Sequence, residues 1–317
     1  MQGVILAAGR GSRLRHLTRH RSKAMLPVVD RPIVAWVAKR LIAAGAENVI
    51  LVISPGDREI VRYFDAAPEW AGRVRFAVQS ERLGMAHALG CAAPYIDGDF
   101  VLSACDNLVP PDDVTRVLRE WRASPRADAV LTLMPVEPGR LGSVGIVEMD
   151  GARVTRIVEK PAPEEAPSNI SSLPLYCFSE CILDLLPDVP LSPRGEHELQ
   201  DAIQMLIERG GLVRGVLIDR RMTLTDSDDL LAINRRFLLR MGGLIGAGLG
   251  SVRDQARLVP PVYVGDGVTV GEGCVLGPGV VIEGQSVIGA GAVVRDAVVL
   301  RGGVVEERAS VMGRVLG

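Results

Sequence analysis

The stretch LAAGRGSRLRHLTRHRSKAMLPV, Leu6 to Val28, joins an apolar run to a Gly9-x-Gly11 turn and then to a loop crowded with cations: Arg10, Arg13, Arg15, His16, Arg19, His20, Arg21 and Lys23. Glycines at such a turn let backbone N–H groups approach an anion, and the cations supply countercharge, so the chemistry this stretch suits is the holding of a phosphate chain. Two familiar phosphate fingerprints are excluded by the letters. Leu14 stands where a dinucleotide fold needs its third glycine, and no Gly-Lys-Ser/Thr of a P-loop occurs. Lysine usage adds a second signal, because only three of the 36 basic residues are lysines: Lys23, Lys39 and Lys160. Against an arginine-rich background, a lysine suits a place where a compact ammonium serves a phosphate better than a planar fork. Lys23 before AMLP and Lys160 in EKP fit that description, whereas Lys39 falls in a helical stretch and is expected to be solvated. Asp106, in LSACDNLVP, closes an apolar run with a carboxylate able to bind Mg²⁺. The five cysteines contain no CxxC pair and the four histidines no zinc spacing, so the thiols are expected to be reduced and any metal to be held by carboxylates.

These groups need a scaffold at whose edge they can converge. Apolar runs expected as strands at 2–7, 48–53, 74–78, 100–104 and 129–134 alternate with helical periods at 31–44, 57–66, 85–93 and 112–123. Such alternation predicts an α/β fold with a Rossmann-like, doubly wound, mostly parallel sheet, which binds ligands at the carboxyl ends of its strands. Asp106 falls at such an end. Residues 144–149 and 153–158 flank Asp150-Gly151, a hairpin signal, and that insert is expected to wall one side of the site. A further helix is expected at 226–239. The chain of 317 residues is 48% hydrophobic with a formal charge of −2, which gives no drive toward nucleic acid or membrane. No charged-then-apolar leader precedes the first strand, and the Gly-rich apolar run 241–250 falls short of the ~20 residues that span a bilayer, so the expected compartment is the cytoplasm.

A different period begins near the end of the chain. From Val262 the sequence reads in sixes, VYVGDG, VTVGEG, CVLGPG, VVIEGQ, SVIGAG, AVVRDA, VVLRGG, VVEERA, SVMGRV, with a small residue leading each hexad. An aliphatic residue follows two places later in every hexad but the eighth, where Glu306 intrudes. The pattern resembles the hexapeptide repeat of left-handed parallel β-helices. The expected division is therefore a catalytic domain at 1–240, a linker at 241–258 and a short β-helix at 259–317, the last being a place for homo-oligomer contacts.

The opening stretch, read with SKAMLPV, QSERLGMAHAL, LSACDNLVP, VGIVE, IVEKP and SNISSLPLYCF in that order, resembles the signature set of the sugar-1-phosphate nucleotidyltransferases, the nucleotide-sugar pyrophosphorylases. The resemblance covers about residues 1–237, and a β-helix tail also occurs in several branches of the family. It implies a reaction in which a sugar-1-phosphate, or a cyclitol phosphate like one, attacks the α-phosphorus of a nucleoside triphosphate and expels pyrophosphate, with Mg²⁺ as cofactor. Carried over residue by residue, it implies nucleotide binding by Leu6, Ala8, Gly9, Gly11, Ser12 and Arg13, with Arg13 stabilising the departing pyrophosphate. Gln79 and Gly84 would meet the base. Gly145, Glu159, Lys160 and Asn169 would bind the sugar phosphate, Asp106 and Asp219 the metal, and Arg13, Lys23 and Asp106 would carry catalysis. His87 is expected to pack on its helix, and Arg15, His16, Arg19, His20 and Arg21 to form a basic rim that steers polyphosphate.

The departures from the family pattern leave alternatives open. Ser12 stands for the usual Thr and keeps a hydroxyl, while Ser22 stands for the Pro that ordinarily precedes the catalytic-loop lysine. Aligning on DLLAIN puts Thr223 where many relatives carry the second metal carboxylate, whereas IDRR resembles a branch in which Asp219 is the ligand; Asp226 suits a helix N-cap. Two other readings accompany the enzyme: a regulatory paralogue that binds nucleotide or nucleotide-sugar without turnover, and an acyltransferase built on the β-helix. Residues 238–317 contain no histidine base for the latter.

Overall fold

The computed structural model describes Met1 to Gly317 except Arg10, Arg15, His20, Ser124 and the side chain of Ser12. The rim assignments at Arg15 and His20 and the hydroxyl of Ser12 thus lie outside the described residues. The chain divides into two compact units, Met1–Arg10 with Val37–Arg221, and Gly11–Trp36 with Met222–Gly317. Among the described residues no helix is long and apolar enough to cross a membrane.

The first unit is built on a nine-stranded mixed sheet: β1 (Gln2–Leu6), β2 (Val49–Ile53), β3 (Val74–Val78), β4 (Phe100–Ala104), β5 (Ala129–Pro135), β6 (Gly145–Asp150), β7 (Arg153–Glu159), β8 (Ile170–Phe178) and β9 (Val213–Leu217). Their order is β3-β2-β1-β4-β8-β5-β9-β7-β6. The first four run parallel, as alternation with α1 (Ile33–Ala43), α2 (Arg58–Ala66) and α3 (Met85–Ala92) requires. β8 enters antiparallel between β4 and β5, and β9 returns parallel to β5. The expected hairpin is β6–β7, its two-residue turn being Gly151-Ala152. Alternate strand residues Val4, Leu6, Ile50, Val52, Phe100 and Leu102 pack with α3, the 3₁₀ stretch Glu180–Asp188 and α5 (Leu199–Glu208), while α4 (Pro111–Trp121) packs on β5, β8 and β9. Burial of both faces explains why the strands read as continuous apolar runs.

In the second unit, α6 (Ser227–Met241) packs on the strand Pro27–Val28 and on the tail strands Val280–Ile282, Ala297–Val299 and Val315–Leu316. Asp226 caps it through a reciprocal bond pair: the Asp229 N–H donates to the Asp226 carboxylate, and the Asp226 N–H to that of Asp229. The tail is a parallel coil whose strands stack in three ladders. Residues 241–258, expected as a linker, contribute Leu244–Ile245 and Ala256–Leu258 in register with Val262–Val264 and Cys274–Leu276. The glycines there serve coil corners: a Cβ on Gly246, at φ +114°, would lie 2.0 Å from the Val264 carbonyl oxygen.

The hexad frame holds only as far as Asp296. Stacked partners are eighteen apart in Val262↔Val280 and Thr269↔Val287, but seventeen apart in Val280↔Ala297, Val287↔Val304 and Val293↔Ser310. One edge is thus a residue short, turning at Asp296 with φ +45°. A one-residue slip reverses every later side chain. Val299, Val305 and Val311 point inward, while Glu306 and Met312 face out, so the intrusion at Glu306 disappears.

Candidate active site

β1 delivers Leu6, Ala7 and Ala8 to the carboxyl edge of the sheet, where the Cys105 N–H donates to the Leu6 carbonyl at 3.1 Å and the Ala7 N–H to that of Val52 at 2.8 Å. The Ala8 carbonyl accepts from Ser54 Oγ at 3.0 Å and from Arg82 Nε at 2.8 Å, and Arg82 also donates to Ser54 Oγ at 3.0 Å. Arg82 therefore ties the first turn, from which exposed Gly9 follows, to the segment 79–84. Asp57 accepts from the Ser54 N–H at 3.1 Å, and burial pushes its carboxyl up against the pull of that bond and of Arg82.

Gln79 is buried at the end of β3, and its amide nitrogen donates to the Gly84 carbonyl at 3.1 Å and to His87 Nδ1 at 3.0 Å. The carbonyl partner fixes the orientation of the amide, so Nδ1 of His87 is the accepting nitrogen and Gln79 Oε1 is left to accept. His87 thus positions Gln79 as well as packing on α3. Gly84, at φ +100°, has no room for a side chain: a Cβ would lie 2.5 Å from the His197 carbonyl oxygen. His197 clasps this turn by donating its N–H to Leu83 at 2.7 Å and accepting from the Ala86 N–H at 3.0 Å.

Gly145 and Glu159 face each other across the β6–β7 pair. The Glu159 side chain is only 10% exposed; Oε1 lies 3.3 Å from Lys160 Nζ and 4.0 Å from Arg194, and Oε2 is buried with no hydrogen-bond partner. Burial pushes its carboxyl up, aided by Glu198 and opposed by Lys160 and Arg194. A Cβ on Gly145 would stand 2.9 Å from that orphaned oxygen. Lys160 takes a left-handed backbone, φ +46°, a strained conformation for a residue with a side chain. Tyr176 is fully buried nearby, bonded to Ser172 at 2.5 Å, and burial pushes its hydroxyl far up against the pull of that bond, with Glu159 adding and Arg221 opposing. Asn169 is exposed and precedes β8, where Ile170 pairs with Val147, so its backbone lies roughly 10 Å along the sheet from Gly145. Gly145, Glu159 and Lys160 are brought together, and Asn169 stands apart from them.

Asp106 is half-buried just beyond β4. Its neighbour Asn107 is buried, donating to the Pro174 carbonyl at 3.1 Å and accepting from Arg221 at 3.5 Å. Asp219 is exposed in the loop after β9, between Ile218, whose N–H donates to Leu133 at 2.8 Å, and Arg221. Among the described residues no group of three or more His, Cys, Asp and Glu side chains could hold a metal ion. Mg²⁺ needs no such cage, because one or two carboxylates with substrate phosphates and water complete its shell. Hard oxygen donors at the sheet's carboxyl edge fit that ion.

In the second unit, Gly11 opens a 3₁₀ turn, Ser12–Leu14, which buries Leu14 and exposes Arg13. Lys23 begins another, Lys23–Met25, and a Cβ on Gly11 would lie 3.1 Å from Lys23 Cβ, so the two meet closely. Ser22 Oγ is buried without a partner among the described residues.

Three residues with a place in this geometry escaped sequence reasoning. Arg82 lay inside the quoted QSERLGM segment and could have been singled out there. His197 and Arg194 come from the loop 189–198, whose sequence carries no periodic signal; Arg194 donates to buried Glu198 at 2.8 Å.

Residues 2–221 match the nucleotidyl transferase family, and residues 258–317 match the GMPPB C-terminal domain. The UTP--glucose-1-phosphate uridylyltransferase AglF of Haloferax volcanii is 35% identical over 223 residues, which is 69% of this chain and 88% of that protein. A glucose-1-phosphate thymidylyltransferase of Streptomyces griseus is 32% identical over 287 residues, 85% of this chain and 79% of that protein. A solved UDP-glucose pyrophosphorylase complexed with UDP-glucose superposes with a TM-score of 0.67 over 75% of this chain and 98% of its own, at 19% identity, a likeness of fold. The family match over the whole first sheet and the relatives' coverage agree with the motifs, and this chain belongs to the nucleotidyl transferase family, among the sugar-1-phosphate nucleotidyltransferases.

Proposed function

We propose that the chain transfers a nucleotidyl group from a nucleoside triphosphate to a sugar-1-phosphate, or to a cyclitol phosphate resembling one, giving a nucleotide-sugar and pyrophosphate. The observation that carries the reading is the group Gly145, Glu159 and Lys160: a buried carboxylate oxygen lacking a donor, an absent Cβ beside it and an ammonium close by. A sugar hydroxyl supplies the missing donor, and a phosphate suits the ammonium. Both named relatives carry glucose-1-phosphate in their names, in agreement.

In the reaction, a phosphate oxygen of the acceptor attacks the α-phosphorus in line. The new P–O bond forms as the bond from the α-phosphorus to the β-bridging oxygen breaks, and the electron pair leaves with pyrophosphate. That oxygen is already a competent nucleophile, so the protein contributes position and charge. Backbone of Leu6, Ala8, Gly9, Gly11 and Ser12 would follow the nucleotide, with Arg13 and Lys23 neutralising the departing pyrophosphate. Gln79 Oε1 would accept an N–H of the base at the turn set by Gly84, while Glu159 and Lys160 hold the acceptor. Asp106, with Asp219 as second carboxylate, would hold Mg²⁺, which when bound neutralises phosphate charge.

The tail's outer ladder leaves Val287 43% and Val304 58% exposed in register, an apolar row that supports assembly into a homo-oligomer. The reading calls for no nucleic-acid or membrane partner, and a cytoplasmic location accompanies it. Full-length protein with Mg²⁺ and a panel of triphosphates against hexose-1-phosphates should release pyrophosphate only when both substrates are present. Silence across the panel would leave the binding-only paralogue as the better reading.

A further inference from the structure

The second unit joins the Gly11–Trp36 loop to the tail through an ion pair that neither the motifs nor the repeat foretold. Arg21 donates from a single terminal nitrogen to both carboxylate oxygens of Glu283, at 3.0 and 2.8 Å, and the two side chains are only 11% and 15% exposed. Glu283 stands just after the tail strand Val280–Ile282, and the Arg301 N–H donates to it at 2.8 Å from the next coil. Two further ties hold the same loop: buried Asn234 of α6 accepts from the Val29 N–H at 2.7 Å and donates to the Pro27 carbonyl at 2.9 Å. Residues 21 to 29 are thus fixed at their start by the coil and at their end by the helix that packs on the coil. Lys23 lies two residues beyond Arg21.

We infer that the tail is a positioning frame for catalysis, and that Glu283, through Arg21, sets the place of Lys23 and of Gly11 beside it. This rests on the nucleotidyl-transfer reading, in which Lys23 bears on the phosphates. Arg21, assigned by sequence to a solvated rim, is instead committed to the tail. A largely buried pair of this kind adds little net stability, since desolvation opposes the attraction. Its effect is on geometry, where a shift of about 1 Å in a charged group can cost on the order of 100-fold in rate.

The test compares full-length Glu283→Gln with Asp296→Asn, which breaks a different tail contact, the exposed ion pair to Arg235 of α6. Melting, kcat, KM for each substrate and amide exchange over residues 11–26 are measured for both and for the parent. The expected result for Glu283→Gln is a kcat lower by about 10- to 100-fold, an unchanged KM for the sugar phosphate and faster exchange confined to 11–26. Asp296→Asn should keep parental kcat. Unchanged exchange, faster exchange with full kcat, or loosening spread evenly over the unit would each overturn the inference. A parent enzyme without turnover would sink the nucleotidyl-transfer reading instead, and the exchange pattern would still decide whether Glu283 holds the loop.

Discussion

Replacing Gly84 by Ala tests whether the turn after β3 is built for close backbone approach. The new Cβ would lie 2.5 Å from the His197 carbonyl oxygen and 2.8 Å from its nitrogen, both backbone atoms that cannot swing aside. The backbone at φ +100°, ψ −179° also belongs to a region that residues with side chains occupy at a cost of about 1–3 kcal/mol. Displacing His197 weakens two clasp bonds worth about 1 kcal/mol each. The total is about 3–5 kcal/mol, which for a domain of this size lowers the melting temperature by roughly 10 °C. Because the Gly84 carbonyl receives the Gln79 amide, the KM for the triphosphate should rise while that for the sugar phosphate holds. Gly90→Ala, on the same helix with open space around it, should be neutral or stabilising. Parental melting and KM in Gly84→Ala would refute the reasoning.

Three other changes probe different parts of the account. Glu159 has a raised folded-state pKa, so the unfolded chain releases that proton first as pH rises, and above this window the charged carboxylate opposes folding. Glu159→Gln should therefore melt above the parent at neutral pH, the gap closing as pH falls below the ordinary 4.5, while turnover is lost; a lower melting point at neutral pH would contradict this. Asp219→Ala should lose turnover and need more Mg²⁺, whereas Asp226→Ala should cost about 1 kcal/mol of stability for a broken cap and little activity; the reverse pattern would mean the wrong carboxylate was chosen. Ser22 sits at φ −74°, ψ 156° with a partnerless buried hydroxyl, so Ser22→Pro should raise stability by about 1 kcal/mol, and a drop in thermal unfolding midpoint would count against it.

The parallel half of the sheet was legible because each strand is a short apolar run buried on both faces, punctuated by helical periods. The central strand β8 was not read as one, since Pro174 interrupts it; the structure absorbs that proline where the β8–β5 register shifts between Leu173 and Tyr176. α5 also went unread, although Leu199, Ala202, Ile203 and Leu206 bury one helical face. In the tail the repeat was plain, but valines on both sides of Asp296 hid the missing residue, and only stacking fixes which of two adjacent valines turns inward. Glycine positions in the site were readable as places of close approach. Arg194 and His197 were not, because their partners Glu159 and Leu83 lie far away along the chain.

The central claim is that the acceptor phosphate attacks the α-phosphorus. Its most direct measurement follows a sugar-1-phosphate whose phosphate oxygens are all heavy-isotope labelled, incubated with full-length protein, Mg²⁺ and a triphosphate, with products read by mass. Every labelled oxygen should appear in the nucleotide-sugar, including the one bridging the two phosphorus atoms, and the pyrophosphate should carry none. Label in pyrophosphate, or nucleoside monophosphate formed beside unchanged sugar phosphate, would contradict the account.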